Sequence, residues 1–471
     1  MKIEQIYTGC LAQGAYYIES EGEVAIIDPL REVQPYLDKA QSANAKIKYI
    51  FETHFHADFV SGHVTLSKKA SAPIIFGPNV ETTFDSIIAK DGQEFNLGNV
   101  TIVALHTPGH TMESTSYLLK DENGKPHALF SGDTLFLGDV GRPDLAQKSA
   151  HLTQDNLAGF LYESLREKVM TLADDVLVYP AHGAGSACGK NLSKDTVGTI
   201  GNQKITNYAL RADMTKEEFV KEVTDGLQPP PQYFPLNVKM NKEGYEDFSK
   251  VLKRGNIALT PDEFEIAANE TDSLVLDVRD EKEFVEGYIP RSIFIGIDGG
   301  FAPWVGALIG DVKQNILLVA QEGREEETIM RLSRVGFDNT IGYLKGGFKA
   351  WKDANKEIDT ITSISAEDLK ERMKNNIPIY DVRKPGEYAS SHIPEAESTP
   401  LDFLNNHLTD FPEKETFYLH CGGGYRSVIA ASILKSRGIH NLVDVAGGFA
   451  DIKKANIEVT SEVCPSTLAK S

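Results

Sequence analysis

Four times before residue 185 the chain runs through an apolar, β-branched stretch, turns on small residues and ends on a histidine or an aspartate. Ile47-Lys48-Tyr49-Ile50-Phe51 leads into Thr53-His54-Phe55-His56-Ala57-Asp58-Phe59-Val60-Ser61-Gly62-His63. Val100–Leu105 empties into His106-Thr107-Pro108-Gly109-His110, and His127–Phe130 into Ser131-Gly132-Asp133-Thr134. Val176–Pro180 ends at Ala181-His182-Gly183. Such runs predict buried strands. Loops at one rim of a sheet bring their side chains into one cavity. Imidazole is the commonest metal ligand, so this pattern predicts a metal site.

A chain of 471 residues is long enough for two to four domains. Its net charge of -20 argues against partners that present phosphates, whether nucleic acid or an anionic membrane. Cys10, Cys188, Cys421 and Cys464 lie far apart and form no C-x-x-C pair, which fits a reducing cytoplasm. The stretch Met1-Lys2-Ile3-Glu4-Gln5 has no signal-peptide core, and no run of 18 apolar residues predicts a membrane span.

His54-Phe55-His56-Ala57-Asp58, His110, Asp133 and His182, in that order, resemble the ligand motifs of the metallo-β-lactamase superfamily over about residues 1–215. The resemblance implies an αββα sandwich with metal at the sheet edge. Most members carry histidine after the Asp of the first motif; here Phe59 stands there. An apolar ring cannot ligate, so a mononuclear centre is expected. Two histidines and one carboxylate with open positions suit non-haem Fe(II) that meets O2, and His54, His110 and Asp133 can supply them. His56, Asp58 and His182 would then stand behind the ligands, orienting them or moving protons. Zinc on His54, His56 and His110 is the alternative. One Fe(II) per chain is what a resemblance to persulfide dioxygenases implies, and their loop after the Asp ligand is matched by Gly138-Asp139-Val140-Gly141-Arg142-Pro143-Asp144-Leu145. Arg142 is a candidate for binding a carboxylate or phosphate of the thiol carrier. Cys188 sits six residues past His182 in a loop of small residues, where Lys190 would favour a thiolate; it is a candidate redox residue.

Pro229-Pro230-Pro231 predicts a stiff, extended connector, with Tyr233 and Phe234 candidates for packing near the metal mouth. Beyond it one unit occurs twice. Leu274-Val275-Leu276-Asp277-Val278-Arg279 pairs with Pro378-Ile379-Tyr380-Asp381-Val382-Arg383 at a shift of 104. Lys345-Gly346-Gly347-Phe348 pairs with Ala446-Gly447-Gly448-Phe449 at a shift of 101. Strands alternating with helices predict a parallel α/β sheet in each copy.

The second copy reads Phe417-Tyr418-Leu419-His420-Cys421-Gly422-Gly423-Gly424-Tyr425-Arg426-Ser427: a strand, a cysteine, a glycine turn and a helix start. Backbone N–H groups of such a turn, with Arg426, form an anion nest that would lower the thiol pKa and hold a persulfide on Cys421. Gly422, Gly423, Gly424, Tyr425 and Ser427 are the expected lining. The turn resembles that of rhodanese, and its four residues between Cys421 and Arg426 suit sulfur, where cysteine phosphatases usually place five. The first copy has Ala320 or Gln321 in that neighbourhood and glutamates around it, so it is expected to be a structural or docking module.

The expected architecture is α/β multidomain: an αββα sandwich over residues 1–240, then rhodanese-like domains with parallel sheets over 257–357, without the cysteine, and 362–460. The whole layout resembles persulfide dioxygenase–rhodanese fusions of sulfide detoxification. That resemblance implies oxidation of a low-molecular-weight thiol persulfide by O2 to sulfite, with sulfur transfer through Cys421 giving thiosulfate, in a cytoplasmic homo-oligomer. A zinc thioester hydrolase with sulfur-carrying repeats is the alternative.

Overall fold

The computed structural model describes residues 1–145, 152–190, 192–227 and 229–461. They fall into two compact units: Met1–Phe248 with Ser333–Gly336, and the remainder of the chain from Ser249. Cys464, named above, lies outside the described residues.

Among its described residues the first unit holds twelve strands: β1 (Lys2–Thr8), β2 (Gln13–Ser20), β3 (Glu23–Ile27), β4 (Lys46–Phe51), β5 (Ile74–Phe76), β6 (Ile87–Ile88), β7 (Glu94–Leu97), β8 (Val100–His106), β9 (Thr115–Lys120), β10 (Pro126–Gly132), β11 (Leu177–Pro180) and β12 (Gly198–Thr199). They form two six-stranded sheets, in the orders β1-β2-β3-β4-β5-β6 and β12-β11-β10-β9-β8-β7. The strands alternate faces, as the pleat requires. Tyr16, Ile18, Ile27 and Phe51 of one sheet meet Ile102, Tyr117, Leu119 and Phe130 of the other in a shared core. Tyr17, Val24, Ile26 and Ile50 point the other way, onto Tyr36 and Ala40 of helix Gln34–Ser42 and Leu66 of helix His63–Ala70. Val103, Leu118 and Leu129 face the outer helices through Leu161 and Phe219. The layers are therefore helix, sheet, sheet, helix. This is why the strands read as near-continuous apolar runs: both their faces are covered.

The proline stretch gives way to a helix, Phe234–Glu243, with Pro235 in its first turn, where a missing N–H costs no hydrogen bond. The expectation of an extended spacer therefore stops at Tyr233, which is buried with Phe234.

The second unit repeats one sheet. Strands β13 (Ala258–Leu259), β14 (Leu274–Asp277), β15 (Ile293–Phe294), β16 (Ile316–Val319) and β17 (Thr340–Leu344) lie in the order β13-β17-β16-β14-β15. Strands β18 (Ser363–Ile364), β19 (Ile379–Asp381), β20 (Ala396–Ser398), β21 (Phe417–His420) and β22 (Leu442–Val445) follow the matching order β18-β22-β21-β19-β20, all pairs parallel in both sheets. The repeated Asp-Val-Arg is a buried ion pair in each copy. Arg279 grips Asp277 and the Gly287 carbonyl; Arg383 grips Asp381 and the Ser391 carbonyl. The repeated Gly-Gly-Phe is a left-handed turn. A methyl group on Gly448 would overlap the Cys421 carbonyl, and one on Gly347 would lie 3.0 Å from the Ala320 carbonyl. Ala320 is thus the counterpart of Cys421.

Candidate metal centre and cysteine loop

Three donors from three strand ends converge in the first unit. His54 Nε2 lies 3.8 Å and His110 Nε2 3.5 Å from Asp133 Oδ2, and all three residues are buried. The outward nitrogens are already engaged. His54 Nδ1 lies 2.9 Å from Thr53 Oγ1, which donates to Asp28 Oδ2. His110 Nδ1 donates to the Arg142 carbonyl at 2.9 Å. Those partners leave each Nε2 lone pair facing the carboxylate. Asp133 Oδ2 is buried without a hydrogen-bond partner. A buried carboxylate oxygen left unpaired is costly, and a cation between it and the two Nε2 atoms would satisfy it. The residues therefore fit a metal ion.

Behind this set, His182 bridges two acids, with Nδ1 2.8 Å from Asp133 Oδ1 and Nε2 2.8 Å from Asp58 Oδ2. Burial opposes charging His182, but Asp133 and Asp58 overcome it and hold the imidazole protonated well above its usual range. Burial likewise opposes ionising Asp133, and His182, His54 and His110 more than offset it, holding the carboxyl far below the ordinary value. His54 is kept neutral by burial and by its neighbour His56. Neutral imidazoles beside an ionised carboxylate are the protonation states a metal needs.

His56 points elsewhere. Its Nε2 lies 3.2 Å from Asp28 Oδ1 and 3.6 Å from Glu52 Oε2, and burial and Asp28 push the Glu52 carboxyl well up. Phe59 packs on the His56 ring with centroids 4.3 Å apart. The structure sets Cys188 with Asp58 and His182, within 4.8 Å of one another. The expected thiolate is corrected: burial, then Asp58 and Asp133, push the Cys188 thiol well up, while Lys190 donates to the carbonyls of Glu222 and Asp225. Arg142 is corrected too. Its guanidinium holds Asp144 through Nε and Nη2 at 2.7 and 2.8 Å, and its carbonyl fixes His110, so it builds the site rather than offering a free cation to a ligand.

Asn241, Val238 and Lys242 were not among the expected residues. Asn241, on helix Phe234–Glu243, donates to the carbonyls of His56 and Phe59 and accepts from Ser61 N–H, clamping the ligand loop. The same helix supplies Val238 and Lys242 to a cavity of ≈ 590 Å³ that also reaches Phe55, His110, Met112 and Glu113. Tyr233 lies close enough to Asp58 and Cys188 for their charges to raise its phenol, after burial.

In the second unit, Cys421 is 1% exposed and its Sγ receives the Gly424 N–H at 3.1 Å. Gly424, with φ of 109°, precedes helix Tyr425–Ser436. Gly422, Gly423 and Gly424 form the turn, as expected, and Ser427 Oγ donates to the Gly424 carbonyl. Two expected anion binders do other work. Arg426 makes a two-bond pair with Glu387 at 2.6 and 2.8 Å, and the Tyr425 hydroxyl donates to the Gly296 carbonyl. The cradle at Cys421 is thus built of backbone, with Arg426 holding it to helix Pro385–Ser390.

Comparison with known proteins agrees with this division. The metallo-beta-lactamase superfamily matches residues 8–182, and the rhodanese-like domain matches residues 260–354 and 365–455. The chain is a metallo-β-lactamase domain joined to two rhodanese-like domains. A metallo-beta-lactamase from Staphylococcus aureus superposes with a TM-score of 0.65 at 29% identity, covering 73% of this chain and 98% of that one. The human mitochondrial persulfide dioxygenase ETHE1 is 27% identical over 46% of this chain and 78% of its own length. A cytoplasmic hydroxyacylglutathione hydrolase from Arabidopsis thaliana is 29% identical over 39% and 67% respectively. The sandwich expected from the ligand motifs is the metallo-β-lactamase domain, and both repeats are rhodanese-like. No helix among the described residues is long and apolar enough to cross a membrane.

Proposed function

We propose that the metallo-β-lactamase domain is an iron-dependent persulfide dioxygenase and that the second rhodanese-like domain is a sulfurtransferase acting on the same pool of sulfur. The observation that carries this reading is the open triad of His54, His110 and Asp133, one metal's worth of donors, on a chain that also holds Cys421 against a backbone N–H. The position from which a further imidazole could complete a second metal site is filled by Phe59, against His56. When bound, Fe(II) would supply O2 activation and a seat for a persulfide sulfur.

The chain's own residues do the rest. Thr53 and the Arg142 carbonyl fix the two imidazoles, and His182 holds a proton between Asp133 and Asp58. The cavity beside His110 takes the body of a low-molecular-weight thiol. In balance, R–S–SH, O2 and water give R–SH, sulfite and two protons. At the other site the Cys421 thiolate attacks the outer sulfur of R–S–SH, breaking its S–S bond and releasing R–S⁻; sulfite then attacks the sulfur on Cys421, breaking that S–S bond to give thiosulfate and the free thiolate.

The test is anaerobic metal analysis followed by O2 uptake against a panel of persulfides. One iron per chain and uptake that stops with His110→Ala are expected. Two zinc ions per chain, no uptake and cleavage of a glutathione thioester would replace this reading with that of a hydrolase, the activity named for the Arabidopsis relative.

A further inference from the structure

The first rhodanese-like domain has no cysteine at the matching position, Ala320, yet the loop after it is anchored at Arg324. Arg324, four residues beyond Ala320, pairs with Asp298 through two bonds of 2.7 and 2.8 Å and with Glu327 at 2.8 Å. Arg331 Nη1 donates to the Ile297 carbonyl at 2.6 Å. Both arginines therefore fix the segment from Gly296 to Gly300, which follows β15.

That segment is a slot, and Tyr425 of the other copy fills it. A methyl group at Gly299 would overlap the Tyr425 ring, and one at Gly296 would lie 3.1 Å from its Cε2. The Tyr425 hydroxyl donates to the Gly296 carbonyl at 2.7 Å, and Phe294 meets the ring edge-on at 5.8 Å. About two helical turns further along, Ser432 Oγ accepts from Phe294 N–H at 3.0 Å. The helix behind the cysteine loop is thus held at two points by the inactive copy. Tyr425 directly follows Gly424, whose N–H faces Cys421 Sγ.

We infer that the first rhodanese-like domain is the positioning half of the sulfurtransferase site: its glycine slot, braced by Arg324 and Arg331, seats Tyr425 and so sets the Gly424 N–H against the Cys421 sulfur. This rests on the reading of Cys421 as the sulfur carrier. Tyr425 is a positioning residue, its ring in the slot and its hydroxyl on Gly296.

The test uses the full chain with Gly299→Ala, which evicts the ring, and Tyr425→Phe, which keeps the ring and loses only its bond to Gly296. Three quantities are read: alkylation of Cys421 by iodoacetamide at neutral pH, followed on its own peptide; kcat and KM for transfer from thiosulfate to cyanide; and melting temperature. Gly299→Ala should slow alkylation and kcat by about tenfold with KM little changed, and Tyr425→Phe by about threefold, since small misplacements cost rate rather than binding. A lower melting temperature with wild-type alkylation in both variants would mean packing alone and would overturn the inference. If Gly299→Ala does not fold, Tyr425→Phe decides by the same readouts. Should the wild-type chain transfer no sulfur, the carrier reading fails, while the alkylation comparison still decides the positioning.

Discussion

Thr53 shows how much of the metal centre is set by one hydroxyl. It accepts a hydrogen bond from His54 Nδ1–H and donates its own O–H to Asp28, whose other oxygen accepts the Thr53 N–H. Thr53→Val removes that relay and should weaken metal retention ~10–100-fold, read as iron left after a chelator challenge. Asp444 is a second residue with a measurable signature. Burial raises its carboxyl to about 6, against the Ser363 hydroxyl that donates to it. A raised carboxyl stabilises the fold while it stays protonated, fully below the ordinary carboxylate pKa, and that contribution is lost as pH rises toward about 6. Asp444→Asn should therefore raise the melting temperature at pH 7, by a stability gain of about 2–3 kcal/mol, and leave it nearly unchanged near pH 4. The three donors were legible in the sequence because each ends its own strand. The tasks of Arg142 and Arg426 were not, since an arginine beside a catalytic loop reads the same whether it faces a ligand or a carboxylate. Only the structure shows Asp144 and Glu387 taking them.

At the level of elements, helix Phe234–Glu243 is the piece that sequence reasoning undervalued. Prolines announced its start as a break, and nothing local says that Asn241 will cap a loop some 180 residues upstream. Asn241→Leu strands two carbonyls and one N–H; it should cost about 2–4 kcal/mol and loosen the metal with it, seen as a lower melting temperature that added iron no longer restores. The glycine turn at Cys421 was readable, because only glycine tolerates such backbone beside a helix start. Its anchor was not: nothing in the sequence ties Glu387 to Arg426. Glu387→Gln breaks the two-bond pair with Arg426 and should lower sulfur transfer several-fold, more than it lowers stability, since the pair is half-exposed.

Across the whole molecule, the repeat was plain at sequence level because the ion pair Asp-Val-Arg and the Gly-Gly-Phe turn cannot drift without breaking the sheet. The pairing of the two copies was not, because Tyr425 and Gly299 carry no shared pattern. Division of labour has a direct check. Cys421→Ser should keep O2 uptake and end thiosulfate formation, while His110→Ala should end O2 uptake and keep sulfur transfer to added sulfite; loss of both activities in each folded variant would refute it. Restoring sulfur to the first copy should fail: Ala320→Cys, beside Gln321 and Glu322 and with Arg324 committed to Asp298, should alkylate far more slowly than Cys421. The seclusion of Cys421 has one more outcome. A sulfur walled in on nearly every side is a gauge of girth. On the proposed reading of Cys421, slim acceptors such as sulfite or cyanide should draw sulfur from it far faster than the thiol of a folded protein, so the cargo should leave on small molecules.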